Sequence, residues 1–148
     1  MILSKTSEYA LRAAVFLAQH SDRLIPGHEI GAATQVPEEY LVKVLRRLAA
    51  ADLVEIRRGV GGGYGLARGP QAITVWDIVA AIDPVAIPNV CPLGLAEHQL
   101  RLCPLHATIC RVTTDAIEAY SQVTLRDLVP RPTKQAEACE FPRTDRPF

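Results

Sequence analysis

Between Ser4 and His20 the apolar positions Tyr9, Ala10, Ala13, Ala14, Leu17 and Ala18 recur at the three- and four-residue spacing of one helix face. Ser4 or Thr6 can cap this helix, and Glu8 stands near the positive end of its dipole. Pro26-Gly27 breaks the pattern, and a short helix over 28–34 follows, with Ile30, Ala33 and Val36 turned inward. Pro37 suits the first turn of a third helix, where its missing N–H has no helical partner in any case. From there to Ala51 the stripe Tyr40, Leu41, Val44, Leu45 and Leu48 predicts a buried face, with Lys43, Arg46 and Arg47 largely off it. Two short helices joined by a tight turn, the second basic on its exposed side, make a helix-turn-helix pattern.

The period then shortens to two. Val54 and Ile56 alternate with Glu55 and Arg57, which predicts a half-buried strand over 53–58. The run from Gly59 to Gly65 predicts a flexible tip, and Leu66-Ala67 the start of a return strand, so that a β-hairpin wing follows the helix-turn-helix. Residues 73–82 predict a helix that closes the core and is ended by Asp83-Pro84. Residues 85–105, rich in Pro and Cys, are expected to be largely irregular. A long helix over about 105–123 carries Ile109, Val112, Ala116, Ile117, Tyr120 and Val123 on one face, which packs on its own domain or forms a seam with a second copy. One further turn is expected over 124–129. The fold class is mainly α with a small β-hairpin. It divides into a winged helix-turn-helix domain over 1–83, a cysteine-bearing sensor loop over 84–105, a dimerisation helix and final short helix over 105–130, and a disordered tail over 131–148.

Composition refines this outline at three points. With 49% hydrophobic residues in 148, the chain can bury a core. No apolar run approaches the ~20 residues of a membrane span, and the first residues lack a signal-peptide pattern, so a soluble cytoplasmic protein without membrane contact is expected. The formal net charge is zero, which taken alone argues against a polyanionic partner. Its distribution reverses that: Lys43, Arg46, Arg47, Arg57, Arg58 and Arg68 face only Asp52 and Glu55 within residues 43–68, and phosphate contacts are made locally. The glycines fit no nucleotide-binding loop, because no Gly-Lys-Ser/Thr follows them and Leu66 stands where a dinucleotide fingerprint needs its third glycine.

The segments Pro37-Glu38-Glu39-Tyr40-Leu41, Asp52-Leu53-Val54 and Arg58-Gly59-Val60-Gly61-Gly62-Gly63-Tyr64-Gly65-Leu66 resemble the Rrf2 family of bacterial regulators. Leu3-Ser4, Tyr9-Ala10-Leu11-Arg12 and Thr124 to Val129 extend the likeness over roughly residues 1–130. The resemblance implies a homodimer on a double-stranded DNA operator, acting without catalytic turnover. Glu39, Tyr40 and Lys43 would begin the recognition helix, with Arg46 and Arg47 contacting phosphate or solvent. Arg58 would be the minor-groove arginine of a wing whose Gly61 and Gly62 approach the backbone, and Ser4, Lys5 and Thr6 would touch phosphate. Val42 replaces a glutamate with which one member discriminates among its sites, so the operator is not transferable.

Cys91, Cys103 and Cys110 lie where cluster-binding members of that family carry three cysteines. The resemblance therefore implies an iron–sulfur cluster, of two or four irons, bound by soft thiolate ligands. The spacing departs from those members: eleven and six residues separate the cysteines here, where they have five and five. For the fourth ligand the resemblance implies Glu8, from the first helix of the other subunit; Thr113 replaces a histidine ligand used elsewhere, and His98 and His106 are weaker alternatives. Read without the family, Glu8 is a helix-start carboxylate. The cysteines are then small buried hydrophobes, a thiol–disulfide switch or a zinc site. Cys139 stands alone in the tail. Two other functions stay open: a cluster-free regulator controlled by thiol oxidation or a partner protein, and an iron–sulfur carrier, against which the basic face argues.

Overall fold

A computed structural model describes residues 3–85, 87, 90–94 and 103–129. The expectations for the 131–148 tail and for His98 and Cys139 lie outside these residues. The elements in order are α1 (Lys5–Gln19), α2 (Gly27–Thr34), α3 (Glu38–Ala50), β1 (Val54–Arg57), β2 (Gly63–Leu66), a single 3-10 turn (Pro70–Ala72), α4 (Val75–Ile82), α5 (Pro104–Ser121) and α6 (Leu125–Leu128). This is a mostly helical winged helix-turn-helix fold with one two-stranded antiparallel sheet.

α1 forms where the periodicity places it. Ser4 is its N-cap and accepts the Ser7 N–H at 3.0 Å, which satisfies one of the donors a helix start leaves open. Its inward face, Ala10, Ala13, Ala14 and Leu17, is essentially solvent-free, and α2, α3, α4, α6 and β2 all pack around it. α2 ends on Gln35, whose left-handed φ of 55° turns the chain into α3. Pro37 is the N-cap of α3 and not its first helical residue, with φ −57° and ψ 137°. Leu41, Val44, Leu45 and Leu48 enter the core beside Ile25, Ile30, Ile73 and Ile78. Tyr40 does not join them: it is exposed, because it lies at the margin of that stripe and its ring leans on Tyr9 of α1 instead.

The hairpin turns earlier than the glycine run suggests. β2 begins at Gly63, within the run, and pairs Tyr64 with Ile56 and Leu66 with Val54. Tyr64 also exchanges both backbone hydrogen bonds with Ile25 (2.8 and 2.9 Å), which pins the wing to the α1–α2 connection. A side chain at Gly63 would collide with the Ile25 carbonyl, its Cβ falling 2.6 Å from the oxygen. Val54 is buried, whereas Ile56, farther along the two-stranded hairpin, is exposed.

α4 opens on a reciprocal capping box between Thr74 and Asp77, and α6 on the same box between Thr124 and Asp127. The α5–α6 arm returns to the domain through Val75 N–H to Val123 O (2.8 Å) and Leu125 N–H to Ile73 O (2.9 Å), which seats Leu125 in the core. At the other end of α4 stands Asp83. Its carboxylate accepts the hydroxyls of Ser4 and of the fully buried Ser7, the latter at 2.7 Å. Those two bonds, and then the nearby Arg47 charge, hold the Asp83 carboxyl below its ordinary value of 3.8.

A carboxylate with a depressed folded-state pKa contributes stability that is present above its unfolded pKa and is lost as pH falls through the folded value. Asp83→Asn is therefore expected to be less stable than wild type at neutral pH, by on the order of 1 kcal/mol given solvent screening. Urea titrations at a series of pH values should show the two proteins converging below pH 3.8; a gap that persists unchanged into acid refutes the assignment.

Candidate nucleic-acid interface and cysteine segment

The exposed side of α3 and the first turn of α1 form one surface. Lys43, Arg46 and Arg47 are exposed on α3, as is Glu39 near its start. Lys43 Nζ lies 5.8 Å from the Tyr40 ring centroid, Tyr40 meets Tyr9 edge-on at 5.8 Å, and Lys5 Nζ lies 5.3 Å from the Tyr9 ring. This ladder of cation, two aromatic rings and cation spans α1 and α3 and holds both lysines at the surface. Below it opens a niche of about 340 Å³ lined by Thr6, Tyr40, Lys43, Val44, Arg46 and Arg47. A hollow with three cationic residues is suited to anionic oxygen.

Arg47 has a second task. Its Nη1 donates to the Ile82 carbonyl at 3.0 Å, so this arginine ties the end of α3 to the end of α4. Arg58 is exposed at the base of the wing tip. Gly61 and Gly62 beyond it are required by the turn itself. Gly61 has φ +76°, and a Cβ at Gly62 would fall 2.3 Å from the Arg57 carbonyl oxygen.

The cysteines are partly gathered. Cys91 Sγ and Cys103 Sγ stand 3.9 Å apart, within thiol hydrogen-bond reach and not joined by a disulfide. Cys103 is buried as the N-cap of α5, where its sulfur accepts the His106 N–H at 3.4 Å. Cys110 is half-buried two turns further along α5, an axial rise of about 10 Å. Two thiolates at about 2.3 Å from one tetrahedral metal lie about 3.8 Å apart, so the Cys91–Cys103 pair fits a shared metal atom. Among the described residues, no group of three or more Cys, His, Asp or Glu is assembled to hold a metal. Glu8 is paired with Lys5 at 2.8 Å and with Arg12, and both hold its carboxyl below the usual range, Lys5 foremost. It stands on the rim of an open, largely apolar groove of about 570 Å³ between α1 and α2.

The structure thus brings Lys5, Thr6, Tyr40, Lys43, Arg46 and Arg47 to one face, and Cys91 to Cys103, while the Ser4 hydroxyl is turned to Asp83. It does not bring Glu8 to the cysteines within one chain. Ser7 escaped the sequence reading, and Tyr9 and Asp83 entered it only as a core position and a helix end, without their contacts to Tyr40 and to the two serines. Ser7 carried a signal: a polar residue three positions before Ala10, in register with a buried stripe. No helix among the described residues is long and apolar enough to cross a membrane.

Comparison with known proteins gives a consistent picture. A sequence profile of the Rrf2 family, described as iron-dependent transcriptional regulator, matches residues 3–131. A protein of Aquifex aeolicus provisionally named an HTH-type transcriptional regulator is 30% identical over 87% of this chain and 92% of its own. Among solved structures, IscR of T. potens is similar at a TM-score of 0.70 and 26% identity, over 85% of this chain and 84% of that one. CymR of B. subtilis, the global cysteine regulator, is similar at a TM-score of 0.69 and 28% identity, over 85% and 94%.

Arg58→Ala is expected to weaken binding to duplex DNA at fixed salt while changing stability by no more than about 0.5 kcal/mol, since the side chain is exposed. Lys43→Ala should weaken binding too, with the slope of log affinity against log salt shallower by about 0.9 if it neutralises a phosphate. Fluorescence anisotropy at several salt concentrations measures both. Unaltered affinity in both variants would remove this face as the interface.

Proposed function

This chain belongs to the Rrf2 family of transcriptional regulators, and from that premise we propose that it is a homodimeric, operator-binding regulator whose cysteine segment senses iron–sulfur or redox state. The observation that supports the DNA-binding part is the cationic surface built from the first turn of α1 and the exposed side of α3, with Arg58 exposed on the wing. α3 enters a major groove, where Lys43 and Arg46 are long enough to reach base edges or phosphates, and Arg58 follows the backbone into the adjacent minor groove. In this reading residues 1–83 are the DNA-binding unit, and 84–105 the sensor loop.

The homodimer rests on α5. Of its 18 residues only His106 is buried within the chain, while Leu105 and Val112 are exposed and Ile109, Ile117 and Tyr120 are half-covered. An amphipathic helix of about 27 Å with so little cover is completed by a second copy. That arrangement also gives Glu8 a route to the cysteines, across the subunit boundary, from the rim of its groove.

In the sensor, Cys91, Cys103 and Cys110 would hold an iron–sulfur cluster, with Glu8 of the second copy as fourth ligand. Such a group would supply a site at which iron loss or oxidation alters the protein. Carboxylate is harder than thiolate and is the weaker ligand of that set. The Cys91–Cys103 contact favours one second reading. The two thiols can form a disulfide with peroxide as oxidant, each thiol giving up one electron and one proton while the peroxide is reduced to two waters.

Two expectations test this. Protein purified without oxygen should be brown, with iron and acid-labile sulfide that disappear in the Cys91/Cys103/Cys110 triple serine variant. A colourless protein in which peroxide joins Cys91 to Cys103, seen by peptide mapping, supports the thiol switch instead. Ile117→Asp should shift the dimer to monomer in sedimentation at micromolar concentration, because it places an unpaired charge in the seam. A monomeric wild type would end the dimer reading.

A further inference from the structure

The niche between α1 and α3 has two walls, and they are tied to adjacent residues at the end of α4, Asp83 and Ile82. One wall is Thr6, in the first turn of α1. That turn is held by Ser4 and Ser7, whose hydroxyls both donate to the Asp83 carboxylate. The other wall is Lys43, Arg46 and Arg47 of α3, and Arg47 donates to the carbonyl of Ile82. The geometry points to Asp83 as a positioning residue for DNA backbone binding: it locks the first turn of α1 against the end of α4, so that the niche is preformed to receive a phosphate.

The locking is specific at the level of single hydrogens. Ser4 Oγ accepts the Ser7 N–H at 3.0 Å as the helix cap, so its own proton is directed to Asp83. The carboxylate therefore fixes the cap's rotamer as well as the position of the helix. Ser7 is wholly buried and has no access to DNA, yet it stands beside Thr6 in sequence and anchors that turn from behind. Without the two hydroxyl bonds the first turn frays, as helix ends do when a cap is removed. Binding must then supply the ordering cost that the latch now removes.

The inference rests on the DNA-binding reading, and it makes a prediction opposite in sign to simple electrostatics. Asp83 is an anion beside a surface that would meet another polyanion. On Coulomb's law alone, deleting it should tighten binding; if it is the latch, deleting it weakens binding.

The experiment measures affinity for a mixed-sequence DNA duplex, longer than one protein footprint, over a range of salt concentrations, for wild type, Asp83→Ala, Asp83→Asn and Ser7→Ala. Asp83→Ala is expected to bind on the order of fivefold more weakly, the worth of one hydrogen bond. Its slope of log affinity against log salt should be shallower by about 0.9 for each phosphate that the niche no longer neutralises. Asp83→Asn, which keeps an acceptor oxygen without the charge, should recover part of the affinity. Ser7→Ala should also weaken binding although its charge is unaltered, and it decides the question if Asp83→Ala does not fold. A change in stability alone leaves the salt slope unmoved. Variants that keep their fold by circular dichroism and bind as tightly as wild type, or more tightly, overturn the latch while leaving the regulator reading intact. A wild type that binds no duplex even at low salt overturns both.

Discussion

Helix α1 can serve as the common centre of α2, α3, α4, α6 and β2 because the residues it turns toward them are small. Ala10, Ala13, Ala14 and Ala18 let neighbouring backbones come close, and Leu17 fills the space at the far end. A large side chain on this face would push α3 and α4 outward together, since dense interiors transmit strain instead of absorbing it. α3, the wing and the base of the α5 arm therefore take their positions from one helix. The same helix carries Lys5, Thr6 and Glu8 on its outward side, so any displacement of it is felt at the surface.

The electrostatic design follows from that arrangement. Sixteen basic and sixteen acidic residues cancel over the chain, yet the cations Lys5, Lys43, Arg46 and Arg47 share one face. Two of them are stationed by aromatic rings, and Arg47 by a carbonyl. Asp83, at the end of α4, is turned inward to two serine hydroxyls, and its charge holds structure there.

α5 belongs to a different order of organisation. It springs from Cys103, leaves the domain for most of its length, and is returned by α6, whose capping box and Leu125 anchor it beside Ile73, just ahead of α4. Its beginning is a sulfur contact and its middle an apolar face that one chain leaves uncovered. Asp83 and Pro84 stand between the DNA-facing unit and the cysteine segment, so the last residue of one is the first neighbour of the other.

The sequence by itself determined the elements and their order. Three- and four-residue spacing, the change to a period of two, and Asp83-Pro84 are local signals, decided by neighbours a few residues away. The helix-turn-helix, the wing and the cation-rich α3 were legible for that reason, and the family likeness added Ser4, Lys5, Thr6 and Arg58 as candidates for DNA contact. What only the tertiary structure decided are pairings between distant segments. Tyr9 meets Tyr40, Ile25 pins Tyr64 and so starts β2 inside the glycine run, Arg47 reaches Ile82, Cys91 touches Cys103, and Asp83 gathers Ser4 and Ser7. Periodicity tells which residues leave water, but it does not tell which buried face meets which. Tyr40 shows the limit: hydropathy assigns it to the core stripe, and only the position of Tyr9 across the helix boundary explains why it remains outside. That choice is made by the packing of all the helices together, through shape and hydrogen-bond satisfaction over the whole core, and it is where the candidate site acquires its geometry.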